Sequence, residues 1–431
     1  MYRKITAFLE AWKKNQYRKP LVLQGARQVG KTYSVLEFGR INYENVAYFN
    51  FETNPKLNRT FEENISPDYL IPILSHISGQ TIVKEKTLII FDEVQLCERA
   101  LTSLKYFCED APDYHIIVAG NLLGVAVNRA KFSFPVGKVD MKTMYPMDME
   151  EFMIAMGEEK LAMQVRQCFE TNTAMPSALH DAAMQLYRQY LVVGGMPECV
   201  LQFAQTRDYI LIRNTQDTIL ASYLNDMSKY NNLNEIKKTR LAYDNITVQL
   251  SKKNTRFQYK LIKKGGRASE FENAIEWLCL SGIVSQVYRI EQIKKPLENY
   301  RDIDAFKIYV SDLGLLCAKK DLAANDILYM AEELNDFKGG MAENYVNVQL
   351  SINGYHTYYW ESARGAEIDF VIQRNEQLIP IEVKSADNTR AKSLKVYMET
   401  YDPEYAIKLS AKNFAFEDNK KTVPLYAAFC I

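Results

Sequence analysis

The apolar run Leu21–Gln24 ends in Gly25-Ala26-Arg27-Gln28-Val29-Gly30-Lys31-Thr32, which meets every position of G-x-x-x-x-G-K-[ST], and a helical pattern begins directly behind it. Strand, glycine loop and helix in that order make an anion cradle. The glycines let backbone N–H groups turn inward around phosphate oxygens, and the helix amino terminus adds the positive end of its dipole. Within the expected nucleotide-contacting stretch, Gly25 to Tyr33, Lys31 is suited to neutralise β and γ oxygens and the Thr32 hydroxyl to coordinate Mg2+. A chance match to a Gly-rich turn is the competing explanation, and the strand–loop–helix setting counts against it.

A second motif points the same way. Leu88-Ile89-Ile90-Phe91-Asp92-Glu93 is an apolar strand ending in two carboxylates, a costly place for charge unless a cation is met there. Asp92 is the expected holder of Mg2+, and Glu93 the group that polarises the attacking water for γ-phosphate hydrolysis. His115–Ala119 gives another strand, and Asn121 just beyond it is placed to sense the γ-phosphate or simply to cap a loop. No N-K-x-D guanine signature occurs, so ATP is the expected nucleotide. Arg99, Arg129 and Lys138 are candidates for a charge acting on a neighbouring subunit's site, and the sequence selects none of them.

Leu21–Gln24, Val46–Phe51, Thr87–Phe91, His115–Ala119 and Val139–Met144 alternate with helical patterns, which predicts an α/β fold with a parallel, helix-covered sheet. At 431 residues the chain exceeds what one core usually serves, so several domains are expected. Equal numbers of basic and acidic residues, 53 each, leave no global field toward nucleic acid or membrane, so any such attraction has to be local. Seven scattered cysteines without a C-x-x-C pair read as reduced thiols. Charges interrupt the first 19 residues, and no apolar window approaches the roughly 18 residues of a membrane span, so a cytoplasmic protein that does not enter membranes is expected.

The texture divides the chain into an amino-terminal helix (1–19), a phosphate-loop domain (20–150), a helical connector (151–204), a winged-helix-like domain (205–325) and a small α+β terminal domain (326–431). Helical patterns followed by a turn at Gly282 and the strand-like Ile283–Tyr288 suggest the winged helix.

Taken together, the loop, Phe91-Asp92-Glu93-Val94-Gln95, Tyr145-Pro146-Met147, Tyr190-Leu191-Val192-Val193-Gly194-Gly195-Met196-Pro197-Glu198, Phe306-Lys307-Ile308-Tyr309, Asp312-Leu313-Gly314-Leu315-Leu316, Glu343-Asn344-Tyr345-Val346 and Glu367-Ile368-Asp369-Phe370-Val371 resemble a family of bacterial and archaeal ATPases. In that family an AAA-type phosphate-loop module precedes a carboxy-terminal domain of unknown function. The resemblance implies an ATPase core, a winged-helix segment and a terminal domain similar to restriction-endonuclease folds. Asn121 stands where the family often has Ser, and Val136-Gly137-Lys138 where a Gly-Arg pair is common.

Asp369 followed by Glu382-Val383-Lys384 has the D…(D/E)-x-K spacing of that nuclease superfamily. In a strand Glu382 and Lys384 share a face, where Asp369 of a partner strand could meet them. The two carboxylates would bind Mg2+, Lys384 would stabilise phosphorane charge or orient water, and Glu343 could complete the shell. A hairpin with solvent-facing charges is the bland alternative. Lys252, Lys253, Arg256, Lys260, Lys263, Lys264 and Arg267 stand without an acid among them, interleaved with Phe257 and Tyr259, and either contact DNA phosphates or form a solvated face. The expectation is an ATP-hydrolysing switch or motor acting on DNA with a nuclease-like effector, and oligomers are compatible with it. The alternative is a signalling ATPase that controls assembly or a protein partner through a catalytically silent nuclease-like fold.

Overall fold

A computed structural model describes residues 1–120, 135–229, 233–251, 256–385 and 392–431. The chain forms two compact units: Tyr2–Tyr145 with Leu280–Gly282, and the remainder from Pro146 onward.

The first unit is built on a five-stranded parallel sheet in the order β2-β3-β4-β1-β5, with β1 Leu21–Gln24, β2 Asn45–Asn50, β3 Thr87–Asp92, β4 His115–Ala119 and β5 Asp140–Thr143. Strands β3 and β4 are buried throughout, which is why they read as unbroken apolar runs rather than alternating ones. The register sets Asn50 beside Asp92 and Gln24 beside Thr143, so polar side chains gather where the strands end. Phe49, Phe51, Phe61 and Phe91 pack edge-on or tilted, with ring centroids 5.6–5.9 Å apart. Removing a fully buried ring such as Phe91 costs roughly 3–5 kcal/mol, enough to loosen the strand that carries the carboxylates. The helix Ile5–Lys14 buries Ile5, Leu9 and Trp12 at helical spacing.

The second unit holds an eight-stranded mixed sheet in the order β12-β13-β11-β10-β9-β8-β6-β7. Its strands are β6 Val284–Ile290, β7 Arg301–Val310, β8 Tyr358–Glu361, β9 Glu367–Arg374, β10 Gln377–Val383, β11 Ala406–Ser410, β12 Ala415–Glu417 and β13 Lys420–Pro424. Strands from the expected winged-helix-like segment and from the expected terminal segment thus share one sheet. The β6–β7 hairpin is not a separate wing, because β6 pairs in parallel with β8, Tyr288 opposite Tyr358. An exposed strand edge presents unpaired N–H and C=O groups, and this pairing satisfies those of β6.

The helix Asn335–Ile352 is buried on most of its surface, so its polar side chains are seated inside the unit. Asn344 accepts from the Val310 N–H and donates to the Val310 carbonyl, each at 2.7 Å. The Gln349 side chain accepts from the Met149 N–H at 3.1 Å. The expected connector also belongs here: Asn413 accepts from Met175 N at 3.0 Å, and His180 Nδ1 meets Tyr426 OH at 2.9 Å. Residues 151–204 lie in the second unit, whose main segment begins at Pro146. Buried Asp312 caps the helix Leu313–Lys319, accepting from Leu315 N at 2.9 Å, and ties it to the loop at Gly195, whose N–H donates to it at 2.6 Å. Burial raises its carboxyl to about 6, against the lowering effect of these N–H groups.

Candidate functional site

The loop leaving β1 enters the helix Lys31–Asn42 through Gly30, which is left-handed at φ 92°. Gly25 has φ 145°, and a Cβ there would fall 2.1 Å from the Met144 carbonyl oxygen, so only glycine fits against the end of β5. The Lys31 ammonium is buried and donates to the Gly25 and Ala26 carbonyls at 2.8 Å each. Burial pulls it down to about 8, opposed by the charges of Glu93 and Asp92. Ala26 and Val29 are buried, while Arg27, Gln28 and Thr32 are partly or fully open and Tyr33 is exposed. Gln28 is left-handed at φ 66°, a conformation uncommon outside glycine.

Asp92, at the end of β3, lies across from Thr32. The Thr32 hydroxyl donates to Asp92 Oδ2 at 2.9 Å and the Tyr48 hydroxyl to the same oxygen at 2.7 Å. Thr32 and Asp92 thus present a hydroxyl and a carboxylate oxygen side by side, the hard-oxygen pair that suits Mg2+. Glu93 is held in the left-handed region at φ 53° and accepts from the Gln95 amide. Burial raises its pKa, Gln95 lowers it and Asp92 raises it. A carboxylate made more basic in this way accepts a proton from water more readily. Asn121 and Arg129 lie outside the described residues. Arg99 is tied to the Phe61 carbonyl at 2.7 Å and Lys138 to Glu109 at 2.8 Å.

The second unit collects a different set. Ile381 opposes Phe370 across β9 and β10, and one step along brings Glu382 level with Asp369. Both are buried; Asp369 Oδ2 accepts from Val383 N at 2.7 Å, and Glu382 Oε1 pairs with Lys384. Glu382 Oε2 is buried without a hydrogen-bond partner. Burial, then the charges of Glu343 and Glu382, drives the Asp369 carboxyl well above its usual range, and burial raises Glu382 against the opposing pull of Lys384. Glu343 reaches the same group from the helix Asn335–Ile352. Its Oε2 accepts from Tyr309 OH at 2.8 Å and meets Lys307 Nζ at 3.3 Å, so this carboxylate is committed to β7. Among the described residues no group of three or more His, Cys, Asp or Glu side chains is placed to hold a metal ion. Asp369 and Glu382 bring two carboxylates together, and Mg2+ is commonly held by one or two carboxylates with water completing the shell.

In the basic stretch, Lys252 and Lys253 lie outside the described residues, and Lys260, Lys263, Lys264 and Arg267 are exposed. Lys263 pairs with Glu270 at 3.0 Å, and Arg256 forms a strand-like bridge to Lys307. Phe257 is buried and stacks on Phe306 at 5.4 Å, so that ring is core rather than a platform for bases.

Residues 17–153 match a family model described as an AAA domain. The amino-terminal segment is of the AAA type. Residues 184–326 and 338–428 match two further models, each described as a domain of unknown function. A Walker-type ATPase of Pyrococcus abyssi is similar at 13% identity, covering 73% of this chain and 94% of its own, with a TM-score of 0.45. The ORC2 protein of Aeropyrum pernix is similar at 11% identity, covering 79% and 95%, with a TM-score of 0.38. The ORC1 protein of the same organism, solved in complex with DNA, is similar at 12%, covering 74% and 91%, with a TM-score of 0.28. No protein of curated function matches the chain. No helix among the described residues is long and apolar enough to cross a membrane.

Two contributors to the AAA segment's site were not singled out from the sequence. Tyr48 was readable only as a polar position near the end of β2; burial raises its hydroxyl to about 12, so it stays a donor to Asp92. Arg3 gave no signal at all. Its buried guanidinium donates to the Val29 carbonyl at 2.9 Å and the Tyr145 carbonyl at 2.8 Å, fixing the loop from outside the motif.

Proposed function

We propose that this protein is an ATP-binding and ATP-hydrolysing switch or motor that acts on DNA. The observation that supports it most directly is the Thr32 hydroxyl 2.9 Å from the Asp92 carboxylate, beside the buried ammonium of Lys31. Mg2+ bound there with ATP would neutralise β and γ oxygens and draw charge from the leaving group. Gly25 to Thr32 hold the phosphates, and Lys31 exchanges its bonds with the Gly25 and Ala26 carbonyls for phosphate oxygens. Tyr48 steadies Asp92, and Glu93 orients the attacking water and takes its proton. Titration of the purified protein with ATP and Mg2+ by calorimetry tests the reading: heat in the native chain and none in Lys31→Ala support it, and no heat in the native chain removes it.

DNA contact is assigned to Lys260, Lys263, Lys264 and Arg267 with Lys252, Lys253 and Arg256, and phosphodiester chemistry with Mg2+ to Asp369, Glu382 and Lys384. Mg2+-dependent degradation of linear and single-stranded DNA that disappears in Asp369→Ala is the expected result. One observation favours the alternative of a regulatory ATPase with a silent nuclease-like fold: Glu343 is engaged by Lys307 and Tyr309, leaving two carboxylates rather than three for a metal. No degradation under any nucleotide condition, together with capture of a protein partner, would favour that alternative.

A further inference from the structure

Three strands each send an i, i+2 pair of functional side chains into the carboxylate pocket: Lys307 and Tyr309 from β7, Glu367 and Asp369 from β9, Glu382 and Lys384 from β10. Glu343 reaches it from the helix Asn335–Ile352. Lys307 is only 1% exposed. A lysine so deeply buried keeps its charge only where carboxylates surround it. Its Nζ lies 3.3 Å from Glu343, pairs also with Glu367, and sits 5.1 Å from the centre of the Tyr359 ring. Lys384 pairs with Glu382. Four carboxylates face two ammonium groups, so the pocket is two positive charges short of balance if all ionise. Glu382 Oε2 is a buried acceptor in this pocket without a hydrogen-bond partner.

We infer that Lys307 is a resident cation of this pocket, a positioning residue that withdraws Glu343 and Glu367 from metal binding and leaves Asp369 and Glu382 as ligands for one divalent cation. The inference rests on the metal-binding reading of Asp369 and Glu382. A fixed ammonium occupies the side of the pocket where a second cation would otherwise sit, and its departure would leave the largely buried Glu343 with the Tyr309 hydroxyl alone and Glu367 without its ammonium partner. The hairpin β6–β7 is thereby part of the site.

The test uses the full-length, nucleotide-free protein in an Asp92→Asn background, with Mn2+ as probe read by paramagnetic resonance and calorimetry. One Mn2+ per chain is expected. Asp369→Asn and Glu382→Gln weaken it by about tenfold or more, as loss of a ligand or its support does, while Glu343→Gln changes it by no more than about threefold. Lys307→Met, which removes a like charge, tightens Mn2+ binding or admits a second ion. Equal weakening in Glu343→Gln and Glu382→Gln, or unchanged binding in Lys307→Met, overturns the inference. A thermal-unfolding cycle of Lys307→Met, Glu343→Gln and the double variant decides the lysine's role separately. The double variant is expected to be more stable than Lys307→Met alone; simple additivity overturns the resident-cation claim. If the parent binds no Mn2+, the metal reading of the pocket falls, and the cycle alone then decides what Lys307 does.

Discussion

Thr32 and Asp92, 60 residues apart in sequence, meet through a 2.9 Å hydrogen bond between the first turn of a helix and the end of the neighbouring strand system. Because both atoms are hard oxygen donors, substitution should act through Mg2+ more than through folding. Thr32→Ala is expected to reduce Mg2+-dependent turnover by about a hundredfold or more, while the unfolding midpoint moves little. Steady-state hydrolysis across Mg2+ concentrations, alongside thermal unfolding, checks this.

Glu93→Gln is expected to retain ATP binding and lose turnover by a factor on the order of 10²–10⁴, the range for a missing general base. Burial raises the pKa of the native carboxyl, so the basic form is depleted on the acid side at a pH above that of an ordinary glutamate. Turnover of the native protein should therefore fall as pH drops through that raised value. Unchanged turnover in the glutamine variant would show that another group takes the proton.

Arg3→Ala removes two charge-assisted hydrogen bonds, to Val29 and to Tyr145. Each such bond is worth about 1.5–3 kcal/mol where the partner is left buried, so a clear drop in unfolding free energy is expected, with a several-fold weaker ATP affinity. Lysine should rescue it only in part, since one ammonium cannot span both carbonyls as a guanidinium does. Urea unfolding and nucleotide calorimetry on the two variants give the comparison.

Asp312 provides a pH test of the second unit. Its folded value of about 6 stands above the ordinary 3.8, so the protonated form is the one the fold prefers. The stability it contributes is fully present below about pH 3.8 and is lost as pH rises through about 6, by roughly 3 kcal/mol in all. The stability difference between the native chain and Asp312→Asn should shift toward the native chain as pH is lowered from 7 to 5. Chemical denaturation at matched pH measures it.

Neutralising Lys260, Lys263, Lys264 and Arg267 together should weaken DNA binding and flatten its salt dependence by about 0.9 in log–log slope for each phosphate that is no longer neutralised. Fluorescence anisotropy of a labelled duplex over a salt series reads both quantities. An unaltered slope would return these side chains to the status of a solvated face.

Local chemistry was legible from the sequence. Gly25 to Thr32 must turn where they do because a Cβ at Gly25 would collide with the backbone and Gly30 needs a left-handed φ, and Asp92-Glu93 announce themselves as charge at the end of an apolar strand. Period-two alternation likewise set Glu382 and Lys384 on one face. What the sequence could not carry were pairings made across long separations: the parallel joining of β6 to β8, the reach of Arg3 to Val29 and Tyr145, and the capture of Glu343 by Lys307 and Tyr309. Motif and periodicity record what a residue does to its own neighbours in the chain. A buried charge, by contrast, is satisfied by whichever opposite group the folded chain brings within reach, and only the tertiary structure decides which one that is.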